Sequence, residues 1–459
     1  MKYLKFIAVA IAFSAGVLNC VEARTIKITS RSKGVERELL SKAVDEWMAK
    51  YNGEHKVEII TLPHASNECF ALYQQWFGAG SFDVDVLQMD VAWVGVFADY
   101  LAALDEYCAN LDINDYFDII KENMYSSDGH LLALPLYTDC GLFYYRKDLL
   151  EKYNRSVPKT LEELYDTALY IQTEERKDEV KKNKFYGFIF QAKAFEILTC
   201  NFLEIIDACG GAIVKNGVAE INSAKGMYAI AFLTKCMKNI TNRGVLTYSE
   251  EDARGIFQSG NAVFIRNWPY AYTLMNDPST AVAGKIGMMP IPPSANGGKE
   301  SGSLGGWFMT VSKFSKNKAL AADLAMYVTS KAQQKLRVAS SYLPTFKSLY
   351  DDEEVLKVNP FIANMRESLL NAVARPSKAF GKNYSKASSE IFNTINTILT
   401  DSLDDNPEDF RPQRLMTRLN DKLNILLNKK QNEKKTDVAN DGGKVGFFRR
   451  IVNYISGLF

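Results

Sequence analysis

Strand-like and helix-like hydrophobic patterns alternate along the first part of the chain. Residues 26–29 alternate apolar and polar side chains, which predicts a strand, and residues 35–51 place apolar side chains on one helical face. Strands over 57–60 and 84–89, on either side of a helical stretch over 67–77, continue the succession. Because strands that alternate with helices usually build a parallel sheet covered by helices, the pattern predicts an α/β fold.

A helix end, a strand and two large rings follow one another in the middle of the chain. Gly260 is placed to take the left-handed conformation after the helix, and the apolar run 262–265 predicts a buried strand. Pro269 keeps the preceding Trp268 out of the helical region. Trp268 and Tyr270 are therefore expected at the end of a strand, where open α/β sheets bind ligands. The alternative is that both rings belong to the core.

Further elements are predicted later in the chain. Thr160 with Glu163 three residues on is typical of a capped helix start. The run 303–311 predicts a second apolar strand, and apolar spacing predicts helices over 317–338 and within about 388–427. Regular structure is thus expected as far as about residue 427.

The first 23 residues differ in character from the rest. Lysines, then an apolar stretch, then a small residue at Ala23 are typical of a secretory signal peptide. Cys20 raises the alternative of a lipid-anchored protein. The cleavage site of a lipoprotein normally has a small residue just before the cysteine, however, and here that residue is Asn19. The sequence therefore favours a soluble protein exported to the periplasm.

The other end of the chain also stands apart. Residues 429–444 are polar, charged and glycine-containing, which is typical of a linker. Residues 445–459 place apolar side chains on one side of a short amphipathic helix. This tail would contact either its own protein, or a membrane or partner.

The composition fits a well-packed protein of at least two domains. The chain has 459 residues, 47% of them hydrophobic, and its 55 basic residues nearly balance its 54 acidic residues. That balance removes any general electrostatic attraction to nucleic acid. The six cysteines after the signal form no Cys-x-x-Cys pair, so disulfides of unknown pairing or buried thiols are favoured over a metal site.

Five segments together resemble the solute-binding proteins that serve bacterial ABC importers, in the branch for maltose, trehalose and related sugars. The segments are residues 86–93 (VLQMDVAW), 134–153 (LPLYTDCGLFYYRKDLLEKY), 267–271 (NWPYA), 305–308 (GGWF) and 374–377 (ARPS). Their order and spacing make the resemblance specific, and it covers the chain from the signal to about Leu427. The tail does not belong to it.

The resemblance implies a two-lobed α/β periplasmic-binding-protein fold of type II, with crossing strands between the lobes and a ligand cleft. The first lobe would comprise residues 24–139 and 288–341, and the second residues 140–287 and 342–428. Hinges are expected near Asp139, Gly287 and Tyr342.

Carried over residue by residue, the resemblance also implies a sugar site. The implied residues are Asp90, Asp139, Trp268, Tyr270, Gly306, Trp307 and Arg375. Glu36 is included although residues 30–34 (SRSKG), which precede it, depart from the family's usual glycine-rich segment. Tyr137 is included for its position.

These residue types suit a sugar, which has polar edges and apolar C–H faces. Carboxylates accept hydrogen bonds from hydroxyl groups, and charge-assisted bonds are the strong ones. Asp90, Asp139 and Glu36 would take this role, Arg375 would donate, and the aromatic rings would provide flat apolar faces. The alternatives are helix caps for the two aspartates, an inter-lobe salt bridge for Arg375, and a core position for Trp307.

The expected function is capture of a neutral oligosaccharide by hinge closure, followed by delivery to an ABC permease in the membrane. No cofactor and no metal are expected, and the protein is not expected to be an enzyme. Three alternatives stay open: a glycoside hydrolase that uses Asp90 and Asp139, a binding protein for glycerol 3-phosphate or another non-sugar solute, and a scaffold that has lost its ligand.

Overall fold

The computed structural model describes residues 23–31, 34–63, 66–404 and 410–428. The predicted signal peptide, which includes Cys20, lies outside the described residues apart from Ala23. The predicted linker 429–444 and the predicted tail 445–459 also lie outside them. None of the helices in the described ranges is long and apolar enough to cross a membrane.

Eleven strands are found in the described ranges: β1 (Thr25–Ser30), β2 (Lys56–Thr61), β3 (Val86–Asp90), β4 (Ala133–Cys140), β5 (Leu142–Arg146), β6 (Tyr186–Ile189), β7 (Val214–Lys215), β8 (Val218–Ala219), β9 (Ala262–Asn267), β10 (Ile286–Met289) and β11 (Leu304–Val311). The α-helices there are α1 (Val35–Lys50), α2 (Ser66–Gly78), α3 (Asp118–Lys121), α4 (Lys147–Lys152), α5 (Leu161–Glu175), α6 (Glu196–Ala208), α7 (Ala224–Asn239), α8 (Glu250–Gln258), α9 (Ala271–Met275), α10 (Lys318–Val328), α11 (Lys331–Val338), α12 (Glu353–Val358), α13 (Met365–Leu370), α14 (Ser377–Phe380), α15 (Tyr384–Asp401) and α16 (412–428).

The strands form two sheets and a small hairpin. The first sheet has the order β2-β1-β3-β11-β4, the second has the order β10-β5-β9-β6, and β7 pairs with β8. β1 runs parallel to β2 and β3, whereas β11 runs antiparallel to both β3 and β4. The expected parallel sheet is therefore mixed, because β11 enters the first sheet from the opposite direction.

The first elements are confirmed within two residues of their predicted bounds, because their apolar faces are buried. In α1, the side chains of Leu40, Val44 and Trp47 are buried, and α1 packs against α10 and α11. Gly260 lies just beyond α8 with φ +80°, as predicted.

The single helix predicted over 317–338 is wrong. α10 ends at Val328, and Ser330 begins α11 by accepting a hydrogen bond from the backbone N–H of Gln333. A serine side chain that satisfies a backbone donor competes with helix continuation. Apolar periodicity alone does not reveal such an internal cap.

Three chain segments pass side by side between the sheets. The N–H of Gly141, which lies between β4 and β5, donates to the carbonyl of Ser303 at 3.2 Å. Ser303 in turn forms a parallel bridge with Val373. A Cβ at Gly302 would lie 2.6 Å from the Gly141 carbonyl oxygen, so the first two segments need glycine to lie this close.

Two of the expected hinge positions, Gly287 and Tyr342, lie in or beside a sheet and not between the two sheets. Gly287 lies inside β10, paired with Tyr145 of β5. Leu343, just after Tyr342, bridges Thr138 of the first sheet, where its apolar side chain is buried. We therefore propose that the second and third crossings lie near Ser303 and Val373 rather than at 287 and 342.

Candidate functional site at the lobe interface

The ends of three strands in the first sheet bring four of the expected site residues side by side. Asp90 ends β3 and pairs with Trp307 of β11, which pairs on its other side with Tyr137 of β4. Gly305 of β11 pairs with Asp139 of β4. The side chains of Asp90, Trp307, Tyr137 and Asp139 are all buried.

Gly306 allows these strands to approach one another. Its φ is +119°, and the strand register shifts between Trp307 and Phe308. A Cβ at Gly306 would lie 2.5 Å from the carbonyl oxygen of Tyr137. The position therefore requires glycine, both for its backbone conformation and for the space around it.

Trp268 reaches from the second sheet onto the first. It follows β9, and its ring lies so close to Gly305 that a Cβ there would be 3.0 Å from the Trp268 Cζ3 atom. The same Cβ would be 3.1 Å from the Cβ of Asp139. Trp268 of one lobe and Asp139 of the other therefore both lie against the same glycine, Gly305.

Asp139 is a buried carboxylate with an unused acceptor. Its side chain is 7% exposed, and its Oδ1 atom has no hydrogen-bond partner among the described residues. Burial, followed by the charge of Glu36, raises the pKa of Asp139 well above its ordinary value, although Arg266 and Arg31 act in the opposite direction. A buried acceptor without a donor is costly, so this atom is suited to accept a hydrogen bond from a ligand.

The polar ends of the two rings after β9 are held by the first turn of α8. The Trp268 Nε1–H donates to Glu250 at 3.4 Å, and the Tyr270 hydroxyl donates to Glu251 at 2.7 Å. Burial and the charges of these two glutamates raise the pKa of Tyr270. The rings are thus fixed in orientation by their polar edges.

A buried ion pair supports Trp268 from behind. The Arg266 guanidinium lies 3.9 Å from the centre of the Trp268 ring, and its Nε–H donates to Glu204 at 2.9 Å. Both charged side chains are 1% exposed. Glu204 also accepts hydrogen bonds from the backbone and hydroxyl of Ser303, at 3.1 and 2.6 Å, so the pair anchors one crossing segment to the second lobe.

Arg375 joins carboxylates from the two lobes. Its Nη2 donates to Asp90 Oδ1 at 2.6 Å, and its Nη1 donates to Glu196 Oε1 at 3.0 Å. Glu196 begins α6, which belongs to the second lobe, and the Arg375 side chain is 3% exposed. The expected sugar ligands Asp90 and Arg375 thus bind each other, as in the inter-lobe salt bridge that was the alternative for Arg375.

Trp307 is buried between two side chains of the first lobe. Trp93 contacts it edge-on, with ring centres 5.8 Å apart, and the Arg31 guanidinium lies 4.6 Å from its ring centre. Trp307 itself is only 5% exposed. Its face is therefore covered by Arg31 in this conformation.

Glu36 and Tyr137 lie beside this cluster. Glu36, in the first turn of α1, accepts a hydrogen bond from the side-chain amide of Gln88. The Tyr137 ring packs on Tyr342, with centres 4.7 Å apart, and burial raises the pKa of its hydroxyl well above the ordinary value. Both residues thus shape the first-lobe wall.

Sequence reasoning did not select Arg31, Arg266, Glu250 or Glu251, which lie at this interface, and it selected Tyr342 only as a hinge position. Arg266 could have been selected from the sequence, because it is a charged residue near the end of an otherwise apolar strand. Arg31 was noted only as part of a departure from a glycine-rich pattern.

Comparison with known proteins identifies the family. Residues 46–361 match the family model described as bacterial extracellular solute-binding protein. The chain is 37% identical over 403 residues to a probable ABC transporter-binding protein of Deinococcus radiodurans, covering 87% of this chain and 94% of that protein. A galactooligosaccharide-binding protein of Bacillus subtilis is 26% identical over 365 residues, 75% of this chain and 81% of that protein.

Solved structures agree with this relationship. A maltose-bound MalE3 of T. maritima superposes with a TM-score of 0.80 at 34% identity, covering 88% of this chain and 100% of that one. The GacH receptor of Streptomyces glaucescens shares the fold, with a TM-score of 0.74 at 22% identity over 88% of this chain and 99% of that one. The predicted two-lobed α/β fold and the predicted absence of enzymatic function agree with these proteins. The chain therefore belongs to the family of bacterial extracellular solute-binding proteins, as its sequence motifs had indicated.

Proposed function

We propose that the protein is the periplasmic substrate-binding component of an ABC sugar importer. It would bind a neutral maltose-like or trehalose-like oligosaccharide between its lobes and deliver it to a permease in the membrane. Support comes from the family, from the maltose in the related T. maritima structure and from the name of the Bacillus subtilis relative.

The observation that carries this proposal is the position of Asp139 and Trp268 against the same glycine, Gly305. A carboxylate oxygen that has no donor in the described part of the chain and an aromatic ring, one from each lobe, lie beside Gly305. A sugar hydroxyl would satisfy the oxygen, and a pyranose C–H face would pack on the ring. Because the two groups belong to different lobes, a ligand that contacts both would stabilise the closed arrangement.

The charge distribution favours a neutral ligand over glycerol 3-phosphate. Arg375 is bonded to two carboxylates, and Arg266 is bonded to Glu204. The charges of Arg375 and Arg266 are thus compensated, while the Oδ1 atom of Asp139 lacks a donor among the described residues. A phosphate would need an uncompensated basic group and would be repelled by Asp139.

A glycoside hydrolase is not supported. The family binds solutes without chemical conversion. In addition, Asp90 is committed to Arg375, so that it does not pair with Asp139 as a second catalytic carboxylate.

Closure would be a hinge motion of the three crossing segments near residues 141, 303 and 373. A ligand can drive it only through higher affinity for the closed form. The paired Asp90, Arg375 and Glu196 belong to that form, because they join β3 to α6.

A thermal-shift panel tests the proposal directly. Maltose, trehalose, longer malto-oligosaccharides and glycerol 3-phosphate would each be added to the mature protein. A ligand that binds only the native state raises the unfolding temperature, so the proposal expects a rise with at least one neutral sugar and none with glycerol 3-phosphate. A rise with glycerol 3-phosphate alone would refute the assignment to sugars.

A further inference from the structure

Two tryptophans at the lobe interface each carry an arginine on one face, but the two arginines differ. Arg266, on Trp268, is 1% exposed and fixed to Glu204. Arg31, on Trp307, is half-buried and belongs to the loop that follows β1. Arg31 is thus the more exposed of the two, and its guanidinium covers one face of Trp307.

Arg31 lies where it can meet a ligand. Its backbone N–H is held by Gln88 Oε1 at 2.8 Å, which fixes the start of its side chain above the first sheet. Burial alone would lower the pKa of its guanidinium, yet the charges of Glu36 on the first lobe and Glu250 on the second raise it. The guanidinium therefore lies within electrostatic range of both lobes, in the interface.

The distance along β11 relates Trp307 to the proposed sugar position. Trp268 and Asp139 meet at Gly305, two residues before Trp307. Two residues of a strand extend about 6–7 Å, which is close to one sugar unit. A second or third unit that extended from Trp268 along β11 would reach the Trp307 face, which the Arg31 guanidinium now occupies.

We propose that Arg31 is a specificity-determining residue that covers the face of Trp307 and restricts the cleft to short saccharides. This inference rests on the proposed sugar-binding function and adds a limit on ligand length. Removal of the side chain would open an aromatic subsite and leave the Asp139 and Trp268 side chains present. The pKa of Asp139 would rise further, because one of the charges that lower it is lost.

The first test uses Arg31→Ala without any ligand. If Arg31 covers Trp307, acrylamide quenching of tryptophan fluorescence should increase in Arg31→Ala. The increase should vanish when Trp307→Phe is added. Arg155→Ala is the matched control, because Arg155 lies 4.0 Å from the Tyr170 ring on the surface of the second lobe. Unchanged quenching in Arg31→Ala would overturn the proposal.

The second test measures affinities for glucose, maltose, maltotriose and maltotetraose by titration calorimetry. Wild type should gain no affinity beyond the disaccharide. Arg31→Ala should bind the trisaccharide and tetrasaccharide on the order of tenfold more tightly relative to maltose, the usual worth of one aromatic contact. Arg155→Ala should match wild type.

The contrary outcomes are distinct. An equal loss of affinity for every length in Arg31→Ala would mean that Arg31 binds the sugar directly, which overturns the length limit. If wild type binds no saccharide, the proposed function fails and the length limit falls with it. The quenching result still decides whether Arg31 covers Trp307.

Discussion

At the scale of single residues, the molecule keeps a destabilising group where a ligand would need it. Asp139 is buried, its Oδ1 lacks a donor among the described residues, and its pKa is raised. Replacement of such a group normally stabilises a protein at the expense of function. Replacement of Asp139 is therefore expected to stabilise the protein and to weaken ligand binding.

Asp139→Asn should raise the free energy of unfolding by about 1–2 kcal/mol at pH 7, because the buried charge is removed. The pKa of Asp139 in the folded state lies above 3.8, its ordinary value. At a pH between the ordinary and the raised pKa, the folded state therefore binds more protons than the unfolded state. The contribution of Asp139 to stability thus falls as pH rises through this window. The advantage of Asp139→Asn should shrink towards pH 4 in thermal melts across pH 4–8.

The matched control is Asp128→Asn, since Asp128 is an exposed aspartate whose pKa is lowered by the Ser126 hydroxyl. That variant should gain no stability at neutral pH. If Asp139→Asn were less stable than wild type at pH 7, the unpaired state of the Asp139 Oδ1 atom would be contradicted.

Residue roles were only partly predictable from sequence. The motifs selected Asp139 and Trp268, which lie against the same glycine, and also Asp90 and Arg375, which bind each other. Sequence order does not tell whether a carboxylate faces a ligand or an arginine that lies almost 300 positions away. For the same reason, the position of Arg31 on Trp307 was not foreseen.

At the scale of elements, strand β11 determines the geometry of the site. It lies between β3 and β4 and brings Gly305, Gly306 and Trp307 beside the candidate binding groups. Hydrophobic periodicity predicted this strand within one residue, since it is buried throughout. It could not predict the register shift, which depends on pairing with strands far away in sequence.

Gly306→Ala should destabilise the protein by about 2–3 kcal/mol, because a Cβ at φ +119° is strained and would lie 2.5 Å from the Tyr137 carbonyl oxygen. Urea unfolding measures the change. Gly255→Ala is the control: Gly255 lies in α8 with nothing within 4 Å of its Cβ position, so alanine should be neutral or stabilising there. Similar effects of both substitutions would contradict the role of Gly306.

At the scale of the whole molecule, buried charges hold the two lobes together in the observed arrangement. Arg375 joins Asp90 of the first lobe to Glu196 of the second, and Arg266 with Glu204 anchors the crossing segment at Ser303. The two-lobed architecture was predictable from the family resemblance. The crossing near Val373 was not, because residues 342–370 give no local sign of which sheet they cover.

Arg375→Lys should lower the free energy of unfolding by about 3–5 kcal/mol, because a lysine cannot reach both carboxylates with a planar fork and leaves buried charge uncompensated. Arg366→Lys is the control, since Arg366 and its partner Asp351 are 40% and 70% exposed. That change should stay below about 0.5 kcal/mol. Equal losses in urea unfolding would contradict the inter-lobe role of Arg375.

The account depends on a neutral sugar that contacts Asp139 and Trp268 together, and titration calorimetry of the mature protein with maltose and trehalose tests this most directly. Wild type is expected to bind at least one of them, and Trp268→Ala should lose about 1–3 kcal/mol of binding free energy. Trp76→Ala is the control, since Trp76 is a half-buried ring that packs on Tyr73 in α2. Equal affinity of wild type and Trp268→Ala for the sugar that binds best would contradict the account.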